Sequence, residues 1–445
     1  MDTSSRPFLQ RLLGIAGALL LVAGCATTPE ASLSSSAPAS PAPVPTASGT
    51  LVASASVAPT PEPTPRPTPA PTPTATSASG DLAVVADAPE GRWTSLHWIR
   101  LGALPLGPTQ VTVSGWKGGY VAFDRSGGDD GEGNVTPLVI RASGSRDGAH
   151  WSAPTMLDTA GLDEFVAVER IVQGPAGLLA LGYPFGDTCG GPEPVVAVWS
   201  SQDGTTWERL RLPKPFRTGQ ALSISGSEPG YLAIGNTGDL AKPAIWTSSD
   251  GRSWFSRTLP TVTSGELVLD GGTAFAGGFV LVGSVLGEGE CGGPAHLHPA
   301  TWWSTDGAVW ARSDLPGAST DAQASLEIRT LTDLALVAIQ ALPDGSARGW
   351  TSKDGRTWSS VAKLSNRVRV AGPTDGRHEV AAIAPESGAA RVFAINDDAS
   401  VTRLATSGDG PVQSEYAPAW MAAVGPTGVL AVTEDGNKSW LGLHS

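Results

Sequence analysis

Short apolar segments separated by polar turns make up most of the chain. Within residues 164–213, for example, apolar segments at 168–173, 177–182, 195–200 and 207–212 alternate with stretches rich in Gly and Pro. Segments of this length, bounded by turn residues, predict β-strands. Four such strands joined by short connections predict one antiparallel sheet.

The same four-strand template repeats along the sequence. It fits six units, at 109–158, 164–213, 219–261, 265–316, 322–364 and 368–406. A seventh unit, which begins near Trp420, has only three predicted strands. Its missing strand is predicted at residues 95–101, whose sequence resembles the segment that starts at Trp207.

Repeated four-stranded units with short turns are typical of β-propellers. Pairing of the N-terminal strand with the last unit would remove two exposed sheet edges. We therefore predict an all-β fold, a seven-bladed β-propeller of four-stranded antiparallel blades that the N-terminal strand closes. Six blades are the alternative, if the unit at 368–406 is only a loop.

A turn motif marks the third-to-fourth strand connection in five of the units. Ser-x-Asp-Gly-x-x-Trp occurs at 145–151, 201–207, 248–254, 304–310 and 352–358, at intervals of roughly 50 residues, the size of a blade. Ser and Asp side chains can accept from backbone N–H groups in a tight turn, and Gly permits positive φ there. The predicted structural residues are Asp147, Trp151, Asp203, Trp207, Asp250, Trp254, Asp306, Trp310, Asp354 and Trp358.

This motif resembles the Asp-box (BNR) repeat of sialidase-like β-propellers, although it is one residue shorter than the usual form. The resemblance implies a possible glycoside hydrolase, which in that family uses three inner-strand arginines, an Arg-Ile-Pro signature and a Tyr–Glu pair. Arg170, Arg329 and Arg369 fall on predicted inner strands, and Glu415 and Tyr416 open the last unit. The sequence contains no Arg-Ile-Pro.

In repeat architecture, residues 91–445 are also similar to the photosystem II assembly-factor family. Those propellers are exported and, in some lineages, lipid-anchored. This second resemblance implies a protein-binding scaffold.

The N-terminal region reads as an export signal followed by a spacer. Residues 1–25 combine Arg6 and Arg11 with an apolar run too short to span a bilayer well. The run ends in Leu-Val-Ala-Gly-Cys, which resembles a bacterial lipobox and implies lipidation of Cys25. Residues 26–90 are almost entirely Ala, Ser, Thr and Pro and predict a disordered, extended linker.

The net charge of the chain and its few potential metal-ligating side chains limit which partners and cofactors it can bind. The net charge of −13 disfavours nucleic acid, which needs clustered Lys and Arg. Each repeat turn carries one acid, too few for a calcium loop, and the His296-x-His298 pair lacks a third ligand of suitable spacing. We therefore predict no metal and no cofactor, and a monomer that reaches the membrane only through its lipid.

The longest predicted strand-two-to-three loops lie on the face opposite the repeat turns, at 124–136, 184–194 and 286–299. Long loops on a rigid scaffold often carry binding residues; harmless solvated loops are the alternative. The candidate binding residues are Asp129, Asp130, Glu132, Asp187, Glu288, Glu290, His296 and His298.

Two of these loops contain the same Cys-Gly-Gly-Pro sequence, with Cys189 in one and Cys291 in the other. An exported protein meets an oxidising compartment, so we predict a disulfide between them. Two unpaired thiols or an intermolecular bridge are the alternatives.

The predicted function is that of a non-catalytic binding or scaffold propeller, lipid-anchored on the extracytoplasmic side of the membrane, which recognises a protein or a glycan. A sialidase-like glycoside hydrolase is the alternative, so enzymatic activity stays open. The sequence assigns no catalytic residue.

Overall fold

A computed structural model describes most of the chain from Trp93 to His444. The described residues are 93–107, 110–129, 135–162, 166–184, 196–213, 216, 220–237, 242–287, 296–321, 323–332, 335–344, 346–361, 368–371, 379–383, 388–389, 391–395, 401–413, 420–433 and 435–444. Within these ranges, no helix has both the length and the apolar character needed to cross a bilayer. The predicted signal segment, the linker and Cys25 lie outside them.

The fold consists of β-strands that pair in sequence order. After β1 (Ser95–Gly102), three four-stranded antiparallel sheets follow, which we call blades 1 to 3. Blade 1 contains β2 (Val111–Trp116), β3 (Gly119–Asp129), β4 (Val135–Ser145) and β5 (Thr155–Met156); blade 2 contains β6 (Val166–Gly174), β7 (Gly177–Pro184), β8 (Ala197–Ser201) and β9 (Glu208–Arg209); blade 3 contains β10 (Gln220–Ser227), β11 (Gly230–Thr237), β12 (Lys242–Ser248) and β13 (Phe255–Arg257).

Three further four-stranded sheets form blades 4 to 6. Blade 4 contains β14 (Glu266–Phe275), β15 (Gly278–Gly287), β16 (His296–Ser304) and β17 (Ala311–Asp314); blade 5 contains β18 (Ser325–Thr332), β19 (Ala335–Ala341), β20 (Ala347–Ser352) and β21 (Ser359–Val361); blade 6 contains β22 (Val368–Ala371), β23 (Glu379–Ile383), β25 (Arg391–Ile395) and β26 (Val401–Arg403). A separate two-stranded pair joins β24 (Gly388–Ala389) to β28 (Val412–Gln413).

The last large sheet, which we call the terminal sheet, has five strands. Its order is β27-β1-β31-β30-β29, with β27 at Ala405–Gly408, β29 at Trp420–Gly425, β30 at Gly428–Thr433 and β31 at Ser439–His444. β1 pairs antiparallel with β31, so the predicted pairing of the N-terminal strand with the last unit is present. β30 and β31 pair antiparallel as well.

The all-β propeller prediction holds, but the prediction of seven equivalent blades was wrong. The described residues form six four-stranded blades, the number of the alternative interpretation, although the unit at 368–406 is one of these blades and not a loop. The predicted seventh unit differs because β27 runs parallel to β1 along its outer edge and adds a strand that the template lacks. The sequence template instead divided this segment, with Ala405 and Thr406 at the end of the sixth unit.

Successive sheets converge through their first strands. β2 contacts β6, β6 contacts β10, β10 contacts β14, and β14 contacts β18. In the terminal sheet, β29 contacts both β2 and β22. These first strands are therefore the innermost strands, and they surround the central channel of the propeller.

Hydroxyl side chains link neighbouring innermost strands. Thr112 on β2 donates to the Val168 carbonyl oxygen on β6 at 3.0 Å. Ser225 on β10 accepts from the Ala274 N–H on β14 at 2.9 Å, and Thr330 on β18 donates to the Ala274 carbonyl oxygen at 2.6 Å. These bonds satisfy polar backbone groups that an antiparallel sheet leaves open at its inner edge.

The hydrophobic core lies in layers between adjacent sheets. Four equivalent tryptophans on the third strands of blades 2 to 5 are fully buried there, namely Trp199, Trp246, Trp302 and Trp350. Trp199 packs with Val121 and Phe123 of blade 1, so its indole fills the space between blades 1 and 2. Burial of large apolar side chains between sheets fixes the stacking of the blades.

Candidate functional site

The repeat turns are held by a shared set of hydrogen bonds. In blade 3, Ser248 Oγ donates to Asp250 Oδ1 at 3.0 Å, and the backbone N–H groups of Arg252 and Ser253 donate to the same oxygen at 2.8 and 2.7 Å. The aspartates of the other four turns also accept from two backbone N–H groups each: Asp147, Asp203, Asp306 and Asp354. Each of these carboxylates is therefore committed to its own turn.

These bonds favour the charged carboxylate. The N–H groups of Ser253 and Arg252 lower the pKa of Asp250 to about 2, although partial burial opposes the shift. Gly251 has a φ of +71°, which an L side chain rarely adopts. The Trp254 indole is 6% exposed and donates to the Gly251 carbonyl oxygen at 2.9 Å. The repeat turns thus have a structural role.

The face opposite the repeat turns contains the predicted binding loops. Seven of the predicted residues lie outside the described ranges. They are Cys189 and Cys291 of the predicted disulfide, and Asp130, Glu132, Asp187, Glu288 and Glu290 of the predicted binding face. Asp129 is the last residue of β3, and His296 and His298 both lie on β16. His298 is exposed.

Two of the predicted loops are shorter than the sequence suggested. β3 and β4 pair as far as Asp129 and Val135, and β15 and β16 pair as far as Gly287 and His296. Much of 124–136 and of 286–299 is therefore strand. The Gly and polar residues that suggested loops are accommodated in extended hairpins, one of which contains a bulge between Ser126 and Gly128.

Asp124, which was predicted to begin a loop, lies instead on the paired strand β3. Its side chain is 1% exposed and accepts from Arg141 Nε at 3.0 Å, from Arg141 Nη2, and from the Gly107 backbone N–H at 2.8 Å. The carboxylate raises the pKa of the Arg141 guanidinium further. Asp124 therefore anchors the connection between β1 and β2 to blade 1 and is not a binding-loop residue.

Charged side chains gather instead on the innermost strands. We call this set the channel cluster: Glu169 and Arg170 on β6, Asp270 on β14, and Glu327 and Arg329 on β18. All five lie in the first half of their strands or close to it. Because strands alternate in direction within each blade, this end of the channel opens on the face opposite the repeat turns.

Arg170 and Arg329 influence each other across the channel. Their strands belong to blades 2 and 5, with blades 3 and 4 between them. The positive charge of Arg329, together with burial of Arg170, lowers the pKa of Arg170 to about 10, while Glu327 and Glu169 oppose the shift. The two positive charges are therefore close enough for Arg329 to disfavour the charged form of Arg170.

The two arginines differ in how their donors are used. Arg329 Nε donates to Glu327 Oε1 at 2.6 Å, and its side chain is 35% exposed. Arg170 makes no hydrogen bond to any residue in the described part of the chain. A guanidinium carries five N–H donors, so Arg170 is a protonated group whose donors no described residue uses.

Asp270 supplies an acceptor in the same channel. It occupies a β-bulge between Leu269 and Gly271 and makes no hydrogen bond within the described ranges. The surrounding protein raises its pKa to about 7, although the side chain keeps contact with solvent.

Sequence reasoning identified Arg170 and Arg329 but missed the three carboxylates. The Gly271-Gly272 pair after Asp270 is a bulge signal that the sequence contained. Arg369 lies on β22, and Glu415 and Tyr416 lie outside the described residues. Over the ranges described, no group of three or more His, Cys, Asp and Glu residues is arranged to hold a metal ion.

Comparisons with known proteins give distant likenesses only. No protein-family model and no curated protein matches the chain. The BP39L lectin from Burkholderia pseudomallei is 12% identical over 76% of this chain and 97% of the lectin, with a TM-score of 0.45. YCF48 bound to a D1 peptide is 12% identical over 81% of this chain and 99% of that chain, with a TM-score of 0.42.

The NanB sialidase from Streptococcus pneumoniae is 14% identical over 78% of this chain and 70% of the sialidase, with a TM-score of 0.34. At these identities and TM-scores, none of the three likenesses assigns a function. The propeller fold is established by the strand pairing itself.

Proposed function

We propose that the protein is a non-catalytic binding propeller that recognises a protein or a glycan at the open end of its channel. The observation that supports this proposal is the state of Arg170. Its guanidinium is protonated at neutral pH, is repelled by Arg329, and has no hydrogen-bond partner among the described residues. A guanidinium on an innermost strand whose donors no described residue uses favours binding of an anionic group.

The ligand group we expect is an anion that reaches Arg170 past the acidic outer loops. The chain has a net charge of −13, so its long-range field repels anions. Binding must therefore depend on short-range, directional bonds from the guanidinium. A carboxylate or a similar planar anion matches the fork of N–H donors on an arginine.

The proposed location is the outer face of the membrane. We propose that Cys25 is lipidated after removal of residues 1–24, and that the Pro-rich segment spaces the propeller from the bilayer. At about 3.1 Å per residue, an extended polyproline segment of this length reaches on the order of 100–200 Å. The repeat turns are proposed to belong to the Asp-box class, and the Cys189–Cys291 disulfide stays a prediction.

A glycoside hydrolase is the second candidate function, and one observation favours it. A carboxyl group with a pKa of about 7 can deliver a proton at neutral pH, and Asp270 lies on β14, an innermost strand. We place it second because a hydrolase also needs a nucleophile or an activated water beside the ligand, and Glu327, another carboxylate of the channel cluster, already accepts from Arg329 Nε.

A binding screen combined with a turnover assay tests the proposed function. The purified full chain in detergent would be applied to an array of acidic glycans with their neutral counterparts, and of peptides with free or amidated C-termini. A fluorogenic sialoside would be incubated in parallel. Retention of acidic but not neutral members, without turnover, supports a binding propeller. Turnover would favour the hydrolase, and equal retention of acidic and neutral members would refute recognition through an anion.

A further inference from the structure

The outer edge of the terminal sheet differs from that of every four-stranded blade. In blades 1 to 6 the fourth strand is outermost among the described strands. In the terminal sheet, β1 occupies the fourth position, and β27 pairs with it on the outside. The N-terminal strand is therefore hydrogen-bonded along both edges, by β31 on one side and by β27 on the other.

The contact between β27 and β1 is specific in register. Ser95 to Trp98 pair in parallel with Ala405 to Gly408. The Ala405 N–H donates to the Thr94 carbonyl oxygen at 3.2 Å, and the His97 Nδ1 and Ser407 Oγ atoms lie 3.0 Å apart. Because all four β27 residues are exposed, backbone pairing rather than burial holds this strand in place.

Glycine is required where β27 ends. Gly408 has a φ of +83°, and a Cβ atom there would lie 2.2 Å from the Trp98 carbonyl oxygen. At Gly410, a Cβ atom would lie 2.8 Å from the Trp98 ring. The chain can follow β1 this closely only because both positions lack a side chain.

β27 is in turn fixed to blade 6. Leu404, which directly precedes it, is 2% exposed, and its N–H donates to the Val392 carbonyl oxygen at 2.9 Å. Leu404 and Val392 share one hydrophobic cluster with Leu96 and Trp98 of β1. The segment thus connects blade 6 to the outer side of the N-terminal strand.

We infer that β27 is a strap that retains the N-terminal strand in the propeller against a pull delivered through the residues that precede Trp93. A strand paired on one side can peel from its neighbour one bond at a time. A strand paired on both sides must break two ladders together, which raises the barrier to its release. The proposed lipid anchor is the source of such a pull, but retention by the strap does not depend on it.

Hydrogen exchange on the full chain tests this inference with a matched pair of variants. Gly408→Ala places a methyl group against the Trp98 carbonyl oxygen and should displace the strap. Gly317→Ala is the control, since Gly317 also has a positive φ (+69°) but has nothing within 4 Å of an added Cβ. We expect the β1 amides to exchange at least tenfold faster in Gly408→Ala and at the wild-type rate in Gly317→Ala, with the amides of blades 2 to 5 unchanged in both.

Two results would overturn the inference. One is wild-type exchange of β1 in Gly408→Ala although the β27 amides have become fast, since the strap would then be released without effect. The other is the same acceleration in Gly317→Ala. If Gly408→Ala does not fold, Ser407→Ala replaces it; loss of the contact to His97 should speed β1 exchange about two- to fivefold, and unchanged exchange would again refute retention by the strap.

Discussion

At the scale of single residues, the aspartate side chain has a lowered pKa in one part of the molecule and a raised pKa in another. Asp250 is charged because its turn donates to it, and its pKa is about 2. Asp270 has no donor within the described ranges, and its pKa is about 7. Hydrogen bonding to the carboxylate dominates in the turn, and desolvation dominates in the channel.

Replacement of Asp250 should destabilise the fold. Asp250→Ala leaves the N–H groups of Arg252 and Ser253 without their acceptor, and we expect a loss of about 1–3 kcal/mol in the free energy of unfolding. Equilibrium denaturation in urea measures it. Ser249→Ala, at the exposed neighbouring position of the same turn, is the control and should cost almost nothing. Equal losses in both variants would argue against a specific role of the carboxylate.

The raised pKa of Asp270 predicts a pH-dependent penalty. In the unfolded chain this carboxyl ionises near 3.8, and in the folded protein near 7, so the folded state binds the extra proton between these values. The contribution of Asp270 to stability therefore falls as pH rises through this window. Asp270→Asn should raise the melting temperature at pH 8 and leave it nearly unchanged at pH 3.5. A variant that melts like the wild type at both pH values would contradict the raised pKa.

At the scale of strands and turns, local chemistry made much of the fold predictable. The Ser-x-Asp-Gly-x-x-Trp spacing identified the third-to-fourth strand connections, because Ser, Asp and Gly have fixed tasks in such a turn. The likeness of residues 95–101 to the segment that starts at Trp207 identified β1. β27 could not be found in the same way, since Ala405 to Gly408 bury no side chain and leave no hydrophobic pattern.

The candidate site was only partly predictable for a related reason. The four-strand template could place Arg170 and Arg329 on inner strands, but strands from blades 2 and 5 face each other only in the closed ring. Asp124 was misread as a loop residue because its buried partner, Arg141, lies on the next strand and is not adjacent in sequence. Long-range pairing decides such positions, and local sequence does not encode it.

The N-terminal strand should be essential although the preceding linker is not. Deletion of residues 26–88 is expected to leave the melting temperature within about 2 °C of the wild-type value. Deletion of residues 26–101 removes Leu96 and Trp98 from the core and exposes the edge of β31, so unfolding or aggregation should follow. Thermal melting with light scattering compares the two deletions, and equal stability would refute a structural role for β1.

At the scale of the whole molecule, we expect the propeller to fold independently of the proposed lipid anchor. Cys25→Ala should abolish metabolic labelling with a palmitate analogue and leave the propeller folded. The control is Cys189→Ala, which keeps the proposed lipobox intact and should still be labelled. Labelling of Cys25→Ala, with the protein still bound to membranes, would exclude Cys25 as the anchor.

The central claim is that ligand recognition depends on Arg170 in the channel, and one comparison tests it most directly. Wild-type protein, Arg170→Gln and Arg312→Gln would be applied to the same array of acidic glycans and peptides, and affinities determined for each retained member. Arg312 is an exposed arginine on β17, outside the channel, so its replacement makes the same chemical change elsewhere.

We predict that Arg170→Gln weakens binding at least tenfold, the value of about one charge-assisted hydrogen bond, while Arg312→Gln binds like the wild type. The melting temperature of Arg170→Gln should not fall, because the substitution removes the repulsion from Arg329. Wild-type affinity in a folded Arg170→Gln variant would contradict recognition through the channel.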